Sequence, residues 1–438
     1  MTASDDPNTS QRQTPSAALF KNRNYRLHWA STALFSVGDY FTLIAMPWLV
    51  LGLTKDATAL GMVMALESLP RAAFMLVSGG FTDRYTPRNV LLASRALFML
   101  ALIGLALDLL YGHANIHQLY GFSFVFGLLA AFAMPAATAF LPQLVDGEQM
   151  EQGNGALMGM QQLVQLFAPL LAGLLIWGAP TVATATAGAD LSRIAIAFLL
   201  SAAAVFAALL MLLRIRQSTL KIGAGKPDVR LADGFRYLWH DRGLRIVTFY
   251  MACITFCAIG PLLTVVPQFA DQRLSDGALS YGMLYSINGL GALVGFACGG
   301  MLPRPGARHL GLIMFTADLI AGLCVFWFGQ STSFATAAPA LVLIGLCNSF
   351  AIVLCLSWIQ RRIPARLSGR VIGLVMFATM GTTPISMTLS GFIEAHYSLT
   401  ALLSMAGFAI SALALSGLVL PGVNRFGIYP SPGVPEVT

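Results

Sequence analysis

Gly79-Gly80-Phe81-Thr82-Asp83-Arg84-Tyr85-Thr86-Pro87-Arg88 places three charged residues between two long apolar runs. The flanking runs, Thr58 to Gly80 and Val90 to Tyr111, are each about 20 residues long, enough to cross a hydrocarbon core of about 30 Å. The stretch is therefore expected to form a tight, charged hairpin at a membrane surface.

Gly299-Gly300-Met301-Leu302-Pro303-Arg304-Pro305-Gly306-Ala307-Arg308 repeats the spacing, with Pro303 where Asp83 would stand. The step from Gly79 to Gly299 is 220 residues, about half of the 438 in the chain. Two fused copies of one unit would give this offset.

Composition supports the membrane reading. The chain is 57% hydrophobic and only 10% charged, with a mean hydropathy of +0.73, whereas soluble domains carry about 25% charged residues. The net charge of +7 lies in short clusters between apolar runs and not along one face, which excludes a nucleic-acid surface. Residues 1–18 are polar, without the apolar core of a signal peptide, and are expected to be a disordered cytoplasmic tail. The six cysteines all fall inside apolar runs, where cysteine acts as a small hydrophobe. Neither a disulfide framework, a metal nor a cofactor is expected.

Taken in order, residues 1–26 form an amino-terminal tail. Six spans follow in 27–213: Leu27 to Leu53, Thr58 to Gly80, Val90 to Tyr111, Leu119 to Leu141, Asn154 to Trp177 and Ile194 to Leu213. A basic central connection, 214–245, contains an amphipathic pattern over Val229 to Trp239, which predicts a short surface helix. Six more spans fill 246–420, near Ile246 to Phe269, Ser280 to Leu302, Leu310 to Gly329, Thr336 to Ile359, Val371 to Ile393 and Leu399 to Leu420, and a tail occupies 421–438. With both termini inside, about 21 of the 26 Lys and Arg fall on the cytoplasmic side, as the positive-inside rule requires. The expected fold is an all-α membrane protein of twelve transmembrane helices in two pseudo-symmetric six-helix halves.

The Gly79–Arg88 stretch resembles the loop signature of the major facilitator superfamily, Gly-x-Leu-Ala-Asp-Arg-x-Gly-Arg-Lys, with Gly79, Phe81, Asp83, Arg84 and Arg88 on the pattern. Trp358-Ile359-Gln360-Arg361-Arg362-Ile363-Pro364-Ala365-Arg366-Leu367-Ser368-Gly369-Arg370-Val371 is similar to the loop between the tenth and eleventh spans in the branch holding macrolide-type efflux proteins and enterobactin exporters. Gly38-Asp39, Pro47-Trp48-Leu49-Val50-Leu51, Leu69-Pro70-Arg71 and Met134-Pro135-Ala136 also resemble that branch. The resemblance implies secondary transport by alternating access. It further implies a cytoplasmic gate of Gly79, Asp83, Arg84 and Arg88 working against Gly369 and Arg370, with Asp83 capping the start of the eleventh span. The antiporter-type fourth-span arginine is absent from Tyr120 to Leu141.

Polar residues inside the spans are the candidates for chemistry, because charge in hydrocarbon is costly. Asp39 in the first span and Glu67 and Arg71, at i,i+4 spacing in the second, fall at similar depth. They are expected to serve proton coupling or substrate contact; the competing reading is a fixed ion pair between helices. Gln161, Gln162 and Gln165 in the fifth span are expected to line a substrate cavity or to tie helices together, and Asn288, Asn348, Thr382 and Thr383 are weaker candidates of the same kind. Arg95 is expected to snorkel to the inner surface, and Asp108 and Glu394 to sit near the outer ends. Asp318 is expected outside the cavity, and Gly291, Gly295 and Gly299 to pack closely on a neighbouring helix.

These features predict a proton-coupled exporter of small amphipathic compounds, of drug or siderophore type, in a bacterial inner membrane. Its expected partners are the substrate, protons and the bilayer, and it is expected to be a monomer without nucleic acid. The alternatives are a proton-linked importer of a small metabolite and a transport-inactive receptor or scaffold. Catalysis is not expected, since no histidine stands in a nucleophile, base or metal arrangement. Gly223-Ala224-Gly225-Lys226 lacks the spacing of a phosphate-binding loop, so nucleotide drive is not expected either.

Overall fold

The computed structural model describes residues 19–145, 149–177, 191–215, 231–301, 307–364 and 367–420. Residues 1–18 and 421–438 of the expected tails, the middle of the central connection and residues 302–306 lie outside these residues. The expected 1–26 tail is corrected at its end, since Leu19 is buried, Asn22 caps the first helix and Tyr25 is buried within it. Six helices form the first half: α1 Arg23–Thr54, α2 Ala57–Arg84, α3 Pro87–Leu110, α4 Ile116–Phe140, α5 Met150–Ile176 and α6 Ser192–Leu213. The short helix α7, Leu231–His240, lies one or two residues beyond the bounds expected for it. The second half holds α8 Arg242–Arg273, α9 Ala278–Met301, α10 Ala307–Gln330, α11 Phe334–Arg362, the pair α12 Ser368–Met380 and α13 Thr383–His396, and α14 Leu399–Val419.

Among the described residues, eleven rods are long and apolar enough to cross a membrane, α12 and α13 counting as one. The twelfth is α2, 28 residues long and interrupted by Glu67 and Arg71. The two halves repeat their packing. α1 lies against α5 and α6, α2 against α4, and α3 against α4 and α6; correspondingly, α8 lies against α13 and α14, α9 against α11, and α10 against α11 and α14. The halves meet chiefly through α2 with α13 and α5 with α9, contacts that exchange under the same twofold relation.

The repeat extends to helix caps. Asn22 accepts hydrogen bonds from the N–H groups of Asn24 and Tyr25 at the start of α1 and donates to the Leu144 carbonyl at 2.8 Å. Asp241 accepts from the Leu244 N–H at the start of α8 and pairs with Arg362 at the end of α11. Asn22 to Asp241 is 219 residues and Leu144 to Arg362 is 218, close to the offset of the glycine motif. Each half thus fixes its first rod to the foot of its fourth.

Two sequence expectations are corrected here. The hairpin is shorter than Gly79–Arg88, because α2 continues to Arg84 and α3 begins at Pro87, leaving only Tyr85 and Thr86 between them. A helix can extend past the hydrocarbon without losing backbone bonds, and proline at the first helical position already lacks the N–H that would have no partner there. The eleventh span is not continuous, since α12 ends at Met380 and α13 starts at Thr383. Pro384 has no N–H to donate and crowds the carbonyl four residues earlier, which favours a break at that point.

The halves meet backbone to backbone at one end. At the end where α2 begins, a methyl group on Gly61 would stand 2.8 Å from the Met387 carbonyl oxygen and 2.9 Å from the Gly391 Cα. On the opposite flank of the same end, a methyl on Gly173 would stand 2.7 Å from the Ala278 carbonyl oxygen. Only glycine allows these backbones to touch. At the end where α5 begins, Gly155 and Gly159 have nothing within 4 Å of such a methyl, and neither do Gly369 and Gly373 of α12. In the second half, Gly291 and Gly295 lie against the carbonyls of Val342 and Leu346 in α11 and Gly299 against Val353, the close packing expected of that stripe.

Candidate functional site

Ser36, Asp39, Tyr40 and Leu43 recur at three- and four-residue spacing on α1, so they share one face. That face lines a cavity of about 460 Å³ in the first half. Glu67 and Arg71 of α2 enter the same cavity, as do Gln161, Gln162 and Gln165 of α5 and Ser94 of α3. Asp39, Glu67, Arg71 and all three fifth-span glutamines, the six residues expected at the coupling and substrate site, therefore line one space.

The charges there are loosely held. Arg71 Nη2 stands 3.6 Å from Glu67 Oε1, with the two side chains 33% and 27% exposed. Arg71 Nε and Gln162 Oε1 have no hydrogen-bond partner. Asp39 is exposed to the cavity although α1 lies deep in the bundle. An ion pair of this length and exposure is worth about 0–1 kcal/mol. Its polar atoms remain available to water or to a solute.

A second cavity of about 290 Å³ lies against the other half, lined by Gln165, Leu262, Tyr285, Asn288 and Asn348 among others. A third, of about 190 Å³, brings Glu67, Ser68 and Arg71 to Met380, Thr383 and Met387 at the break between α12 and α13. Gln165 belongs to the first and second, and Glu67 and Arg71 to the first and third. The three form one region between the halves, charged on the α1–α2 side and lined mainly by aliphatic groups and amides on the other. Asn288, Asn348 and Thr383 lie on it. Asn288 also donates to the Leu341 carbonyl at 3.1 Å, while Thr382 instead donates to the Thr379 carbonyl at 2.8 Å.

Tyr40 and Tyr285 were not among the expected site residues, nor was Tyr281, whose hydroxyl donates to the Leu43 carbonyl across the halves at 3.3 Å. Their signal was position alone: Tyr285 precedes Asn288 by three residues on α9, and Tyr40 follows Asp39 directly.

The expected gate residues separate into two groups. Gly79, Asp83 and Arg84 fall in the last turns of α2, and their side chains lie outside the described ones. Arg88 is buried and donates from Nη2 to the Leu213 carbonyl at 3.0 Å, so it ties the start of α3 to the end of α6. Gly369 and Arg370 begin α12, whose N-cap Leu367 offers no side-chain hydrogen bond. Arg370 packs beneath α7, with its Cβ 2.8 Å from where a Gly234 methyl would stand.

Arg95 does not snorkel. It is 3% exposed, donates to Ser31 Oγ and lies 5.0 Å from the Phe35 ring centroid. The side chain lies on the buried face of α3, which points at α1 and not along the membrane normal. Asp318 accepts from the Tyr250 hydroxyl at 2.8 Å and lines none of these three cavities. Glu394 is 8% exposed and accepts from Gln268. Among the described residues, no cluster of His, Cys, Asp and Glu could hold a metal.

Comparison with known proteins agrees with this architecture. The chain is 26% identical over 405 residues to "Enterobactin exporter EntS" of Escherichia coli O1:K1 / APEC, covering 90% of each chain. The protein of the same name from Shigella boydii serotype 18 (strain CDC 3083-94 / BS512) matches at the same identity and coverage. Among solved structures, a POT family transporter in complex with 5-aminolevulinic acid superposes with a TM-score of 0.73 at 13% identity, over 91% of this chain and 96% of that one. A D-xylose-proton symporter superposes at 0.68 and 13% identity, over 92% and 98%. The sequence model of the Major Facilitator Superfamily matches residues 29–387. With two equivalent six-helix halves around a central cavity and a family match over most of its length, the chain belongs to the Major Facilitator Superfamily.

Proposed function

We propose that this transporter is a proton-coupled exporter of small amphipathic compounds in the cytoplasmic membrane of a bacterium, with both termini inside, working by alternating access as a monomer. The observation that carries the reading is the junction at Gln165 and Glu67/Arg71 of a charged cavity with a largely apolar one. An amphipathic solute matches both surfaces. Its polar group would meet Asp39, Glu67, Arg71 and the glutamines, and its apolar body Leu262, Leu263 and Val266. By the distribution of Lys and Arg, the end at which the halves meet backbone to backbone faces away from the cytoplasm, the side from which an exporter loads.

Asp39 is the residue assigned to proton exchange. It faces the cavity, and its proton affinity depends on how far Arg71 stands and how wet the space is, both of which change when the halves rock. The similarity to enterobactin exporters supports outward transport of a siderophore-like or drug-like solute. In proteoliposomes, Asp39→Asn should abolish proton flux driven by a substrate gradient while leaving the protein folded. Flux at the wild-type rate would remove Asp39 from the mechanism. Export screens with macrolides, dyes and catecholate siderophores in cells lacking other pumps would define the substrate.

A further inference from the structure

Helix α7 presents two different faces. On one, Tyr237 and Leu238 are buried, Gly234 sits on Arg370, and the Tyr237 hydroxyl donates to the Arg362 carbonyl at 3.0 Å. On the other, Phe235 and Trp239 are 53% and 56% exposed, one turn apart, with rings stacked at 5.9 Å and 17°. Two large aromatic rings are thus held outward by a helix whose back is fixed to the bundle.

Their position follows from α8. Arg242, Arg245 and Phe249 are exposed at three- and four-residue spacing, forming one outward stripe on that rod, and Phe249, 73% exposed, lies in its apolar part. Arg245 is about 6 Å nearer the helix start than Phe249. Its guanidinium stands 5.5 Å from the Trp239 ring centroid and donates to the Trp239 carbonyl at 3.0 Å. Trp239 therefore sits beside the lipid-facing surface of α8, at the level where the apolar stripe gives way to charge. Arg236 is exposed next to Phe235. Aromatic rings at the boundary with arginines beside them match a leaflet whose headgroups are negative.

We propose that Phe235, Trp239, Arg236 and Arg245 form an interfacial site for anionic phospholipid, with the rings at the level of the upper acyl chains and the guanidinium groups on the phosphates. The test uses the whole protein in nanodiscs of phosphatidylcholine containing an equal fraction of either phosphatidylcholine or phosphatidylglycerol brominated in the upper acyl chain. The fluorescence difference between wild type and Trp239→Phe, which preserves the ring and the fold, isolates the Trp239 signal. Brominated phosphatidylglycerol should quench that signal at least twofold more than brominated phosphatidylcholine, and the preference should vanish in an Arg236→Gln, Arg245→Gln variant. Equal quenching by the two lipids would overturn the headgroup assignment. Quenching by aqueous iodide and by neither lipid would overturn the site altogether.

Discussion

Asp241 and Arg362 form a two-pronged ion pair, Nε to Oδ2 at 2.6 Å and Nη2 to Oδ1 at 2.9 Å, with side chains 0% and 8% exposed. Asp241 also caps α8 through the Leu244 N–H, and Arg362 lies 5.0 Å from the Trp358 ring centroid. Removing one partner leaves a buried charge without compensation. Asp241→Ala should therefore lower stability by about 3–5 kcal/mol, while Asp241→Asn, which keeps a capping oxygen, should lose less. Thermal unfolding in detergent measures both.

Tyr237 shares that corner. Burial first, and then the Asp241 carboxylate, raise its phenol above the ordinary 10.0, with Arg362 pulling the other way. A group whose folded value is raised contributes stability that is complete below its unfolded value, here about 10, and is lost as pH rises through the folded value. The wild type should thus lose stability above about pH 10, and Tyr237→Phe should reduce this alkaline loss. Melting temperatures between neutral pH and pH 11 would show it.

Arg71 offers a contrast. Its partly exposed 3.6 Å contact with Glu67 carries little stability, so Arg71→Gln should melt within about 1 kcal/mol of wild type. Transport should nevertheless fall at least tenfold, since the proposed coupling needs a cation beside Asp39 and Glu67. A large loss of stability with normal transport would mark the pair as a fixed structural tie instead.

Ser31 is the hydrogen-bond acceptor of buried Arg95, and its hydroxyl also donates to the Ala208 carbonyl at 2.5 Å. Ser31→Ala should cost about 1–3 kcal/mol by leaving the guanidinium unsatisfied. Arg95→Met should be neutral or mildly stabilising, because the hydroxyl keeps its carbonyl partner and no buried cation remains. In the double variant, the Ser31→Ala penalty should shrink.

Gly61 and Gly391 touch at the end where the halves meet, and a methyl on Gly391 would stand 2.7 Å from the Ala57 carbonyl oxygen. Gly391→Val should keep the two halves apart there. Spin labels at Asp56 and Tyr397 should show a longer distance than in wild type, with transport lost and membrane insertion retained.

The spans and the duplication were legible because hydrocarbon imposes a length and excludes charge, so apolar runs of about 20 residues and their charged breaks stand out. Asp39, Glu67, Arg71 and the fifth-span glutamines were legible for the same reason, and the fold places them on one cavity. Asp241 was not, because it lies in a connection crowded with charge and its partner is 121 residues away. Arg95 was misjudged because depth along a helix does not say which face the side chain takes. The break before Pro384 was hidden too, since Pro47, Pro169 and Pro261 lie inside rods that stay continuous.

The gap at Gly381 and Thr382 lies near the middle of its rod, beside the cavity that reaches Glu67 and Arg71. The matching rod of the other half, α5, runs unbroken through Pro169. Of the two equivalent rods, one is therefore continuous through its proline and the other is interrupted near its middle. Below the break α12 lies against α7 and α8, while α13 above it packs on α2, so the twofold symmetry of the architecture does not extend to the continuity of these two rods.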